Sequence, residues 1–69
     1  MGASKKLKML MVDKEITQKE LAEMLGKTLN NVRNTLYKDN FRMETLEAWA
    51  DALGCDVVLR DRKTGKLYR

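Results

Sequence analysis

Residues 28–38 read TLNNVRNTLYK, a run with three asparagines, two threonines, a tyrosine and two cations and no acid. The chemistry open to that set is hydrogen-bond reading rather than bond breaking. An asparagine amide offers one acceptor and two donors on a short, stiff side chain, and Arg33 and Lys38 add charged donors. Residues for catalysis are missing. The sequence has no His, a single Cys and no paired-carboxylate constellation, so neither metal ligation nor acid–base work has its residues. No enzymatic activity, metal or cofactor is expected.

Composition narrows the partner. Fourteen Lys and Arg against ten Asp and Glu give a net charge of +4 and a pI near 9.4, which suits a polyanion. The charges are segregated: 28–38 carries Arg33 and Lys38 with no acid, whereas 43–53 carries Glu44, Glu47 and Asp51 with no base. At 69 residues the chain is expected to be one domain, 1–69, with no separate ligand-sensing unit and no small-molecule ligand. Cys55 alone cannot close an internal disulfide, and MGASKKLK has no apolar run for a signal peptide or membrane span, so a cytoplasmic location is expected.

The reading stretch needs elements to hold it. Leu7, Leu10 and Met11 recur at helical spacing and predict a first helix over about residues 4–13. Thr17 with Glu20 three residues on is a capping box, and Ile16 can staple onto Leu21, so a second helix runs from Thr17 to Leu25 with Leu21, Ala22 and Leu25 buried. Gly26 ends it by accepting a positive φ, and Thr28 caps a third helix almost at once. Val32 and Leu36 are that helix's core contacts. Phe41 turns inward from the connection 39–42, and Leu46, Trp49, Ala50 and Leu53 mark a fourth helix closed by Gly54. Trp49 reads as packing. CDVVLR, residues 55–60, then predicts a strand, and RKTGK a tight turn into a hairpin arm spanning 55–69.

Two helices joined by a short glycine turn over residues 17–38 have the helix-turn-helix form. Here the sequence resembles the phage repressor and Cro-like class, also called the XRE class. The resemblance rests on Gln18, Leu21, Ala22, Leu25 and Gly26 and on the L-x-x-W-A-x-x-L-G ending of the fourth helix, and it covers roughly residues 5–54. It implies a mainly α, four-helix, lambda-repressor-like domain, here with a C-terminal β-strand or hairpin. It further implies binding to double-stranded DNA, usually as a dimer, with the third helix in the major groove.

That groove, about 12 Å wide, admits one helix and presents donors and acceptors on every base pair. With Val32 and Leu36 inward, helix geometry turns Leu29, Asn30, Arg33, Asn34 and Tyr37 outward. Matched residue by residue to the family, Leu29, Asn30, Arg33 and Asn34 fall where bases are contacted, and Gln18 falls where an amide grips a phosphate. Thr28 at the positive end of the helix, Asn31, Tyr37 and Lys38 complete a set expected on the DNA backbone. Leu29 departs from the polar residue often found there, and either a thymine methyl or a neighbouring side chain accounts for it. Arg33 suits a guanine or a phosphate, and Asn31 suits DNA or a bond within the turn. Lys5, Lys6 and Lys8 form either a backbone-contacting arm or a solvated face.

A lone strand leaves its backbone groups unpaired, so Val57, Val58 and Leu59 are expected to pair with the same strand of a second copy about a two-fold axis. Such a homodimer would set two third helices about 34 Å apart and require a palindromic operator. The alternative is that the strand and hairpin fold back on their own helices. The resulting expectation is a transcriptional regulator, a repressor. A protein-binding module such as an antitoxin acting through the C-terminal strand is the other class that fits.

Overall fold

The structure, a computed structural model, describes residues 2–69 and contains four helices followed by a two-stranded hairpin. Helix α1 spans Ser4–Asp13, α2 Gln18–Leu25, α3 Leu29–Lys38 and α4 Met43–Ala52; strand β1 is Leu59–Arg60 and β2 Leu67–Tyr68. The apolar positions read from the sequence close one core. Leu7, Met11, Leu21, Ala22, Val32, Leu36, Trp49 and Leu53 are buried together, and Leu21 and Val32 are wholly shielded from solvent. Phe41 packs edge-on against Trp49 with ring centroids 5.0 Å apart, which anchors the α3–α4 connection.

Helix ends are fixed by local chemistry. At α2 the Thr17 hydroxyl accepts the Glu20 N–H at 3.1 Å while the Thr17 N–H donates to Glu20 Oε1 at 3.0 Å, completing the capping box. The Thr17 N–H donating to it holds the Glu20 carboxyl below its ordinary pKa. Three helices stop in the same way, with a left-handed residue followed by a backbone bond reaching back five residues: Ile16 to Met11, Lys27 to Ala22 and Cys55 to Ala50. Gly26 and Gly54 hold the left-handed position at two of these ends. At the third it is Glu15, with φ of 57°, which pattern reading passed over.

Helix α1 is held by residues far along the chain. Ala3 at its N-cap makes no side-chain bond; instead Asp39, itself left-handed at the end of α3, accepts the Ser4 N–H on Oδ1 at 2.9 Å. The Ser4 hydroxyl, buried, donates to the Leu36 carbonyl at 2.7 Å. This pair of bonds ties the start of α1 to the last turn of α3. A side chain on Gly2 would meet the Asp39 carboxylate in its present position, so a larger residue there would have to displace that side chain from its bond to Ser4. The Ser4 N–H depresses the Asp39 pKa from its usual range.

The C-terminal segment differs from the expected strand. Only Leu59 and Arg60 of residues 55–60 form ladder pairs, and they pair antiparallel within the chain, Leu59 with Tyr68 and Arg60 with Leu67. The turn sets that register: Asp61 Oδ1 accepts the N–H groups of Lys63 and Thr64, and Gly65 at φ 75° donates back to the Asp61 carbonyl. Residues 55–58 have no strand opposite them. Val57 and Val58 are instead half-buried in a cleft against Ala3, Leu7 and Leu10 of the α1 region and Leu46 and Ala50 of α4. So the valines fold back on the helices, while the hairpin beyond them stays exposed throughout. Among the described residues no helix is long and apolar enough to cross a membrane.

Candidate nucleic-acid interface

Helix α3 is oriented by its two buried residues. With Val32 and Leu36 in the core, the repeat of about 3.6 residues per turn aims Asn30 and Asn34 directly outward. Arg33 and Tyr37 lie on one flank and Asn31 and Lys38 on the other, and all six side chains are exposed, Tyr37 at 89 %. No acid lies beside the exposed ring on this helix.

The N-terminus of α3 is equally specific. Thr28 Oγ1 accepts the Asn31 N–H at 3.1 Å, so its side chain is the cap. Its hydroxyl hydrogen remains free to donate, and the Leu29 and Asn30 N–H groups have no partner within the helix. A positive helix end with three donors suits a phosphate oxygen. Asn31 resolves differently from its neighbours: its backbone serves the helix, the N–H going to Thr28 and the carbonyl accepting the Thr35 hydroxyl at 2.8 Å, while its side chain stays outside. Leu29 is half-buried, placed between core and surface, so packing takes part of its side chain.

Gln18 is half-buried at the start of α2, where it shares a shallow depression with Lys8, Met11 and Val12 of α1. The three lysines of α1 therefore separate. Lys8 stands beside Gln18 and extends that corner of the surface, whereas Lys6 lines the cleft that holds Val57 and Val58. Lys5 is exposed on its own.

Pattern reading missed three residues that the fold adds. Asn40, Arg42 and Thr45 line a polar groove together with Asn31, Asn34 and Lys38, continuing the α3 face onto the start of α4. Arg42 is the N-cap of α4 in an extended conformation without a side-chain cap bond, so no side chain caps the first N–H groups of α4. The available signal was a helix start lacking Ser, Thr, Asp or Asn and preceded by a base. The groove also has a boundary: Glu44 lies with Lys27, Asn31 and Thr35 on the adjoining surface, and Glu47, Asp51 and Asp56 make the far side of α4 acidic.

Of the residues expected to mediate dimerisation, Val57 and Val58 are half-buried and Leu59 is 74 % exposed. Leu59 uses one edge of β1 for Tyr68, and the opposite edge of that strand has no partner among the described residues.

Residues 6–58 match the family model described as Cro/C1-type HTH DNA-binding domain. That span holds all four helices except the first two residues of α1, and it stops short of the hairpin. No curated protein and no solved structure matches the chain significantly.

Proposed function

The chain belongs to the Cro/C1-type helix-turn-helix family of DNA-binding domains, and on that premise we propose that it is a sequence-specific transcriptional repressor that lays α3 in the major groove. The observation that carries this reading is the acid-free outer face of α3, with Asn30 and Asn34 aimed outward between Arg33 and Lys38. In this arrangement Asn30, Arg33 and Asn34 read base edges, and the exposed part of Leu29 meets a thymine methyl. Gln18, Thr28, Asn31, Tyr37 and Lys38 hold the phosphates, joined by Lys8 at one end and by Arg42 and Thr45 at the other. Repression follows from occupying a promoter.

A two-fold dimer through residues 57–59 belongs to the same proposal. It is supported by the unpaired outer edge of β1 and by the exposed Leu59 upon it. Pairing there would extend two hairpins into one four-stranded antiparallel sheet and set both α3 helices toward one face of a palindromic site.

Fluorescence anisotropy on labelled duplex, titrated from about 50 to about 200 mM salt, tests the DNA reading, because each neutralised phosphate contributes about −0.9 to the log–log slope. Steep weakening is expected; a protein that retains no duplex at the low-salt end overturns the reading. Sedimentation equilibrium at high micromolar concentration should give twice the 8.0 kDa chain mass. A persistent monomer would remove the dimer while leaving the α3 face in place.

A further inference from the structure

The net charge of the chain lies almost wholly outside the family domain. Residues 1–59 carry nine Lys and Arg and nine Asp and Glu and are therefore neutral, whereas residues 60–69 carry five bases and one acid, the whole +4. The hairpin that bears these charges begins where the family match ends at residue 58. Every residue from 59 to 69 is exposed. The radius of gyration is 12.7 Å, against about 11 Å for a compact chain of this length, as a projecting arm requires.

We propose that the C-terminal hairpin is a second DNA-contacting element, which grips the phosphate backbone of the duplex outside the groove read by α3. Its one acid is tied into its own turn, since Asp61 Oδ1 accepts the Lys63 and Thr64 N–H groups. Arg69 is engaged with Asp56 at 3.7 Å, in an exposed pair. Arg60, Arg62, Lys63 and Lys66 remain for phosphates, and none of them forms an ion pair among the described residues. Lys66 also lies over the Tyr68 ring at 5.1 Å, which steadies its stem beside the strand. The turn presents Arg62 and Lys63 at a tip whose shape is fixed by Gly65 and Asp61 rather than by core packing. A neutral helical body has little long-range pull on a polyanion; the arm supplies it.

The inference rests on DNA binding by the α3 face, and its test separates the two. The full chain is compared with the variant R60Q/R62Q/K63Q/K66Q by anisotropy on a high-affinity duplex and on a scrambled duplex across a salt series. Loss of two to four phosphate contacts lowers the salt slope by about 2 to 4 and weakens both duplexes at least about tenfold near 0.1 M salt, with their affinity ratio retained. Circular dichroism melting and sedimentation of the variant establish that fold and mass are unchanged. A variant with the wild-type slope and affinity overturns the arm while the α3 reading stands. Altered mass with an unchanged slope also overturns it, since the cations would then serve a second copy or an acidic protein surface. If the unmodified chain binds no duplex, both readings fall together.

Discussion

Replacing Ser4 with Ala removes one hydroxyl and leaves the rest of α1 untouched. In the structure that hydroxyl, on a residue 6 % exposed, supplies the sole hydrogen bond to the Leu36 carbonyl among the described residues. The carbonyl belongs to the last turn of α3, where no following helical N–H can replace the lost donor. A buried acceptor left without a partner costs about 1–3 kcal/mol. Unfolding entropy of about 2.1 cal/mol/K per residue gives about 145 cal/mol/K for 69 residues, so the melting temperature should fall by about 7–20 °C. The assay is a thermal melt followed by circular dichroism, with K5A as a surface control expected to stay within about 0.5 kcal/mol of the parent. Hydrogen exchange should show the last turn of α3 opening first, because that is where the tie is cut. A fall under about 3 °C would refute the claim that this bond fastens α3 to α1.

Other consequences follow from single residues. Arg33→Ala should cost about 1–3 kcal/mol of binding and relax preference at one base pair, as measured by competition with point-substituted duplexes; uniform weakening of all duplexes would contradict base reading by Arg33 and assign it to a phosphate. Gly26→Ala, with φ at 66° but open space at the new methyl, should lower stability by about 1–2 kcal/mol, and Glu15→Gly should raise it by up to about that amount in parallel urea titrations. Asp39 and Glu20 both have depressed folded pKa values, so their stabilisation is complete above the unfolded carboxylate range and disappears as pH falls through the folded values. Urea midpoints should therefore drop as pH falls below about 4.5, and the drop should be smaller in D39N, which carries no titrating group at that position.

Local rules carried much of this fold in the sequence. The Thr17–Glu20 box, Gly26, Gly54 and the spacing of Leu46, Trp49, Ala50 and Leu53 are contacts within one or two turns, and all took their expected places. The ties from Ser4 to Leu36 and Asp39 were not legible, since they join residues 32 and 35 positions apart. Glu15 was passed over because a left-handed residue other than glycine leaves little trace in composition. Val57 and Val58 have strand-forming side chains, yet a ladder needs a neighbouring strand, and the turn chemistry of Asp61 and Gly65 positions one only at Leu59 and Arg60. For the site, burial of Val32 and Leu36 was enough to turn Asn30, Arg33, Asn34 and Tyr37 outward, but not Leu29, which was read as outward and is half-buried. Arg42 and Thr45 could be found only once α4 was seen to abut that helix's flank.

Selection of binding sites from a random duplex library, run in parallel on the unmodified chain and on N34A, tests the reading face most directly. Enrichment of an inverted repeat with half-sites about one helical turn apart is expected, with loss of preference in N34A at one position of each half-site while the remaining positions persist. Identical enriched sequences from both proteins, or no enrichment by the unmodified chain, would contradict the claim that the outward face of α3 reads DNA sequence.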